Sequence, residues 1–477
     1  MVFSSMLFVF LFLTLNLLSQ IYLQDTKKKN IAMLVFSLVF YSWSGPRYLI
    51  LLVGMTFICW MGALLISSTP IGKVQKRYMI ITVAMCLVIL GIFKYTGFFL
   101  TNFQGIFGVP KVIPQIVLPI GISFYTFQLI SYVVDVYRGE VKPQRKYWML
   151  LLYSSLFHQC IAGPIVRYQD VAEDIRRRKV SLDEISAGIS RFTVGLAKKA
   201  VLANGCAAVA DSLLSTNAAE LAAMPALGIF LGGAAFTLQI YLDFSAYSDM
   251  AIGMGRMIGF HYLENFDYPY LSRSITEFWR RWHMSLGTFF RDYVYIPLGG
   301  SRRGMFRTIL NLLVVWALTG LWHGASWNFV LWGLYYFVFL VLEKLFLKRI
   351  LDRLPTVISW LYSMVVVFFG WILFRFRDLS LVWLAVCGLF GQNANPLTTF
   401  EANTVWLNYA FFLPIALVGV TPLVHWINQR LHHEAPVNRG ARTVLNTAQV
   451  LAPILLLALS AFALVGNSYN PFLYFQF

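Results

Sequence analysis

The chain has 477 residues, of which 58% are hydrophobic and only 12% charged, and its mean hydropathy is +0.67. A soluble globule of this composition would carry large apolar patches, so a soluble fold is excluded and lipid must cover much of the molecule. The net charge of +17 does not indicate nucleic acid, because the Lys and Arg residues cluster between apolar runs, where they act as cytoplasmic anchors of membrane spans.

A helical crossing takes roughly 20 apolar residues, and such runs begin at residue 2. The ten-residue alternation of a membrane barrel is absent, which predicts an all-α polytopic integral membrane protein. The run 2–23 has no basic stretch ahead of it and is too long for a signal-peptide core, so it reads as a retained first span. Further spans are expected at 31–45, 48–68, 79–100 and 116–136, with Ser42, Gly45 and Pro46 turning the second directly into the third. Lys27 to Lys29, then Lys73, Lys76 and Arg77, then Arg138, Lys142, Arg145 and Lys146 all fall on one side, the cytoplasm. The five cysteines (Cys59, Cys86, Cys160, Cys206, Cys387) form no CxxC pair, so neither a disulfide framework nor a zinc site is indicated and no metal is expected.

The stretch 147–164 is apolar with basic residues at both ends, which suits a re-entrant hairpin with His158 and Gln159 near its tip. Ser181 and Glu184 form a capping box, and Leu182, Ile185, Ile189, Phe192 and Leu196 recur at three and four residues. This predicts an amphipathic helix in the cytoplasmic interface, with Arg191, Lys198 and Lys199 off its stripe, followed by a weak crossing to about residue 214. A strong span follows at 226–247, and later ones at 307–322, 327–345, 356–374, 406–426 and 446–465. Apart from the weak crossing the total is about eleven transmembrane helices, plus re-entrant and interfacial ones, in a single membrane-embedded domain over 1–477 with both termini outside. No fixed-period repeat or pair of related halves is visible.

The chemistry-bearing residues concentrate between Ser274 and Trp327. Ser274 and Glu277 form a second capping box, and Ile275, Phe278, Trp279, Trp282, Leu286, Phe289 and Tyr293 make one apolar stripe if the helix continues. At about 100° per residue, His283 lies roughly 40° from Trp279 at the stripe's edge, either as an interfacial ring packed on Trp279 or as a functional group. His323 comes about sixteen residues after Arg307, about 24 Å across the bilayer. An ionisable group at that depth is costly unless it faces a cavity or partner, which makes His323 a candidate catalytic residue, the alternative being a buried helix-packing histidine. Gly320 and Gly324 bracket it and let a substrate or another helix approach, while Trp322, Ser326 and Asn328 lie close by in sequence. Gln128, Tyr241 and Asp243 are further polar groups within apolar runs that could line a passage, although Asp243 and Asp249 equally suit pairing with a cation or capping a helix. Gly253, Gly255 and Gly259 do not meet the dinucleotide fingerprint, and neither a nucleophile elbow nor a nucleotide P-loop is present.

Several segments together resemble the membrane-bound O-acyltransferase (MBOAT) family, and within it the alginate O-acetyltransferase branch. They are Leu118 to Gln128, Ala162 to Arg167, Tyr241 to Asp249, Phe278 to Leu286, Leu321 to Gly324 and Asn470 to Phe477. His158, where that branch would carry Pro, is a local departure. The resemblance implies that His323 is the family's essential histidine and His283 its second one. It further implies helices around a central tunnel, and an acyl thioester such as acetyl-CoA as cytoplasmic donor with no tightly bound cofactor. The acceptors it implies are an SGNH-type extracytoplasmic partner and a secreted polysaccharide, at a bacterial plasma membrane. Imidazole suits the reaction, because it can take the hydroxyl proton near neutrality and return it to the leaving group. Trp279, Trp282, Trp322, Ser326, Asn328, Gln128, Tyr241 and Asp243 are the expected substrate-lining residues. The competing readings are D-alanyl transfer to teichoic acid from a carrier protein, and a transporter using intramembrane Asp, Arg and His as its pathway.

Overall fold

The computed structural model describes residues 2–43, 45–107, 116–160, 163–434, 439–465 and 472–473. Among these residues the chain is helical, with no strand. Eight helices among the described residues are long and apolar enough to cross a membrane, or nine if Phe400–Asn408 and Phe412–Gly419, bent by 58°, form one broken span. The predicted eleven is not reached by that measure. Phe8–Tyr22 and Leu379–Leu389 fall short, Thr26–Ser42 opens on three lysines, and the expected span 406–426 is divided between Phe400–Asn408, Phe412–Gly419 and Leu423–Glu434. Large apolar side chains such as Phe10, Ile50, Val88, Phe306 and Val357 stand exposed on these helices, as lipid-facing surfaces require.

The chain forms two compact units interleaved in sequence. The first comprises Met1–Phe192, Ser248–Glu264 and Thr288–Pro297. Its core includes a cluster of Phe8, Phe12, Phe40 and Phe157, the last edge-on to Phe12 at 5.3 Å. Pro46 opens the helix Pro46–Ser68 behind Gly45, whose φ of 146° only glycine tolerates, so the predicted sharp turn is present. The expected re-entrant segment is broken at Leu156 into Tyr147–Ser155 and Phe157–Cys160. Its polar residues do not form an open tip: His158 is buried with Nδ1 3.0 Å from the Tyr262 hydroxyl, and Gln159 donates to the Tyr153 carbonyl at 2.8 Å. Residue 162, which begins the resembling segment Ala162 to Arg167, lies outside the described residues, as do most of Asn470 to Phe477.

The predicted interfacial helix and the weak crossing after it are one continuous helix, Leu182–Leu213. On its apolar stripe Leu182 and Ile189 are exposed and Phe192 and Leu196 buried, and Lys199, expected off the stripe, is buried as well. The charges that suggested an interfacial helix are paired: Arg191 is held between Asp249 at 2.9 Å and Glu264 at 2.5 Å, and Lys199 pairs with Asp243 at 2.7 Å. Paired cations no longer oblige a helix to stay at the interface.

The second unit comprises Thr193–Tyr247, Asn265–Gly287 and Leu298–Phe477. Its centre is the helix pair Met305–His323 and Trp327–Leu351 with Thr356–Arg375 beside it. A methyl group on Gly320 would lie 2.3 Å from the Phe329 carbonyl oxygen, and one on Gly333 2.3 Å from that of Trp316. The first two helices therefore touch backbone to backbone, which only glycine permits there. The close approach foreseen for the glycines around His323 is taken by the following helix.

Candidate active site

His323 is the last residue of Met305–His323, and Gly324 ends that helix in an extended conformation with the Phe329 ring where a side chain would stand. Its imidazole is 6% exposed and edge-on to three rings: Trp322 at 5.0 Å, Trp332 at 4.9 Å and Phe374 at 5.5 Å. The helix places this ring roughly 27 Å from its first residue, at 1.5 Å per residue.

The expected straight helix carrying His283 is not formed. Ile275–Arg281 stops, and Met284–Phe290 begins after two residues, with His283 between them at φ 43°. The break follows from the pairing of Asn265. Its backbone oxygen accepts from Met284 N at 2.9 Å, and its side-chain Oδ1 accepts from Ser285 N at 3.2 Å and Ser285 Oγ at 2.8 Å. The same Oδ1 lies 3.1 Å from His283 Nδ1. An amide oxygen can only accept, so the ring donates to it from Nδ1–H, and Nε2 carries the lone pair.

His283 is 1% exposed, edge-on to Phe244 at 4.7 Å and 5.8 Å from Trp322. Burial pushes its pKa down to about 3. Nε2 has no hydrogen-bond partner among the described residues. A neutral ring of this kind takes a proton poorly near neutrality but accepts a hydrogen bond readily. The Trp322 ring touches both imidazoles, so the two histidines belong to one aromatic core.

The other predicted site residues divide. Trp279 and Trp282 lie in that core, Trp279 against Trp316 at 4.8 Å and Trp282 against Trp371 at 4.8 Å, and Tyr241 packs on Tyr270 at 5.3 Å. Asn328 is a strut: its amide donates to the Leu373 and Phe374 carbonyls, both at 3.5 Å, and its Oδ1 accepts from Ser326 Oγ. Asp243 pairs with Lys199 and accepts from Leu473 N at 2.6 Å. Gln128 belongs to the first unit, fully buried. Sequence reasoning missed Asn265 and Ser285, 18 and 2 residues from His283 in the chain, as well as Trp332 and Phe374. The described residues hold no cluster of His, Cys, Asp and Glu suited to a metal.

The structure thus joins many membrane-length helices to two buried histidines in one aromatic core. Residues 146–386 match the membrane-bound O-acyltransferase family. Along their whole lengths, the chain and the "Probable alginate O-acetylase AlgI" of Azotobacter vinelandii are 37% identical. The peptidoglycan O-acetyltransferase of Helicobacter pylori is 31% identical over 82% of this chain and 80% of its own. The teichoic acid D-alanyltransferase of Bacillus subtilis is 26% identical over 48% of this chain and 60% of its own. The chain belongs to the membrane-bound O-acyltransferase family, as a membrane O-acetyltransferase of the alginate O-acetylase type.

Proposed function

We propose that the protein moves an acetyl group from a cytoplasmic thioester, acetyl-CoA, across the bilayer to a hydroxyl of a secreted polysaccharide, by way of an extracytoplasmic acceptor protein of the SGNH type. In the transfer step an acceptor O–H adds to the thioester carbonyl, the C–O bond forms, the C–S bond breaks, and the thiol leaves with a proton. His323 takes the hydroxyl proton and returns it to the departing sulfur, or relays the acyl group itself. His283, neutral and with Nε2 as acceptor, orients the donor. The observation that carries this reading is the contact of both imidazoles with Trp322, which puts a proton-handling group and a fixed acceptor in one core.

The relatives favour a polysaccharide acceptor, since the full-length matches are named for alginate, while those named for D-alanyl transfer cover about half of this chain. Both termini are assigned to the outside by the basic loops. The test replaces the protein in producing cells with His323→Ala. We expect acetyl esters on the secreted polymer to fall at least about 10²-fold while membrane insertion is unchanged. Full acetylation by an inserted His323→Ala protein would end the assignment.

A further inference from the structure

We propose that Glu343 is a positioning residue for acyl transfer, one that fixes His283 by clamping the far end of the helix leading to it. The inference rests on the reading of His283 as part of the transfer site. Glu343 is 2% exposed within the span Trp327–Leu351. Its Oε1 accepts from Ile275 N at 2.6 Å and from the Tyr362 hydroxyl at 3.2 Å. Its Oε2 accepts from Thr276 N at 2.8 Å and Thr276 Oγ1 at 2.6 Å. All four contacts donate, so both oxygens act as acceptors.

The first-turn N–H groups of Ile275–Arg281 are thereby all accounted for. Glu343 takes those of Ile275 and Thr276, the Ser274 side chain takes that of Glu277 at 3.0 Å, and the Ser274 carbonyl takes that of Phe278. Two bonds from one carboxylate to consecutive backbone nitrogens fix the helix in translation and rotation together. The helix is seven residues long, about 10 Å, and carries Phe278 and Trp279 into the aromatic core before it ends at Trp282 and His283. A shift at its first turn therefore arrives at the imidazole.

Stability alone does not call for a carboxylate here. A charge at membrane depth is costly, and a well-packed neutral group often serves the fold as well or better. What a carboxylate adds over a neutral cap is a fork of two equivalent acceptors, which sets position.

The test uses the full-length protein in producing cells, with acetyl ester on the secreted polymer measured per inserted protein and the melting temperature measured in detergent. Glu343→Gln, which presents one acceptor and one donor to these four donors, is expected to lose on the order of 10- to 10²-fold in acetylation. Its melting temperature should fall, since buried donors lose their acceptor, but the loss of acetylation should persist at temperatures where the variant is fully folded. Thr276→Val, which keeps the side-chain shape and removes only the hydroxyl, should lose about fivefold, and Thr276→Ser should restore it. The threonine pair decides the matter if Glu343→Gln does not fold.

Losses that follow melting temperature, or Thr276→Val and Thr276→Ser behaving alike, would overturn the inference. His283→Ala measured alongside separates the two ideas. Full acetylation there removes the reading of His283 and the inference with it, whereas loss there with an active Glu343→Gln removes the inference only.

Discussion

Replacing Asp243 by Asn should destabilise the second unit by about 3–5 kcal/mol, because it takes the carboxylate away from a buried cation. Lys199 Nζ is 2.7 Å from Asp243 Oδ1, with the two side chains 5% and 4% exposed, so neither water nor lipid can take over from the carboxylate. The other oxygen, Oδ2, accepts from Leu473 N at 2.6 Å. An amide has one acceptor for these two donors and turns an N–H toward one of them. Changing Lys199→Met together with Asp243→Asn removes the buried cation and frees the amide oxygen for Leu473, and should recover most of the loss. The assay is thermal unfolding of the full-length protein in detergent for parent, both single variants and the double variant, with acetylation in cells alongside. An Asp243→Asn protein as stable as the parent, or a double variant no better than the single, would refute the reasoning. A stable double variant that no longer acetylates would return Asp243 to the substrate-binding role expected from sequence.

Gly320→Ala should cost about 1–3 kcal/mol or more and reduce transfer, since its methyl group would stand 2.3 Å from the Phe329 carbonyl oxygen three residues before His323. Gly54→Ala, with nothing within 4 Å, is the matched control, and equal melting temperatures for the two would count against the helix contact described. His283 and His158 are both held neutral by burial, each pKa pushed down to about 3, while the unfolded chain binds a proton at each near pH 6.5. Stability should therefore be full above about pH 6.5 and fall toward pH 3, by about 2 kcal/mol per histidine at pH 5. Melting between pH 7.5 and 5 checks this, and His158→Gln should flatten the slope; a slope of opposite sign contradicts the burial of both rings. Asn265→Ala removes the acceptor that fixes the His283 tautomer and should lower acetylation about tenfold or more, with Asn265→Asp partly restoring it; equal activity of the two would show that Oδ1 is not the anchor.

Apolar length and charge placement were enough to read the helical class from sequence, because lipid leaves the backbone few alternatives. The helix ending at His323, its bracketing glycines and the caps at Ser181 and Ser274 were legible for the same local reasons. What was not legible depended on partners distant in sequence. Lys199 looked like an interfacial charge until Asp243, 44 positions on, neutralised it inside the unit. The stripe from Ile275 to Tyr293 has the period of one helix, and nothing within it signals that Asn265 will break it at His283. Ser326 and Asn328 lie beside His323 in the chain, which suggested lining residues, yet Asn328 donates to the Leu373 and Phe374 carbonyls and holds Ser326 in turn.

The break at His283 bears on the chemistry. A side chain at φ 43° occupies the left-handed region, which costs a non-glycine residue roughly 1–2 kcal/mol, and a continuous helix through residues 275–293 would have avoided that cost. The bonds from Met284 N, Ser285 N and Ser285 Oγ to Asn265 hold the chain there. In the straight helix His283 would have sat at the edge of the apolar stripe; at the break it is 1% exposed, with Nδ1 committed to Asn265 and Nε2 left as the acceptor. Strain kept at one residue by a dedicated set of hydrogen bonds is the mark of a group whose orientation matters more than its contribution to stability. A ring held neutral in this way still accepts a hydrogen bond well below neutral pH. That fits the proposed division of labour, in which His283 holds a ligand and His323, across the shared Trp322 ring, transfers the proton.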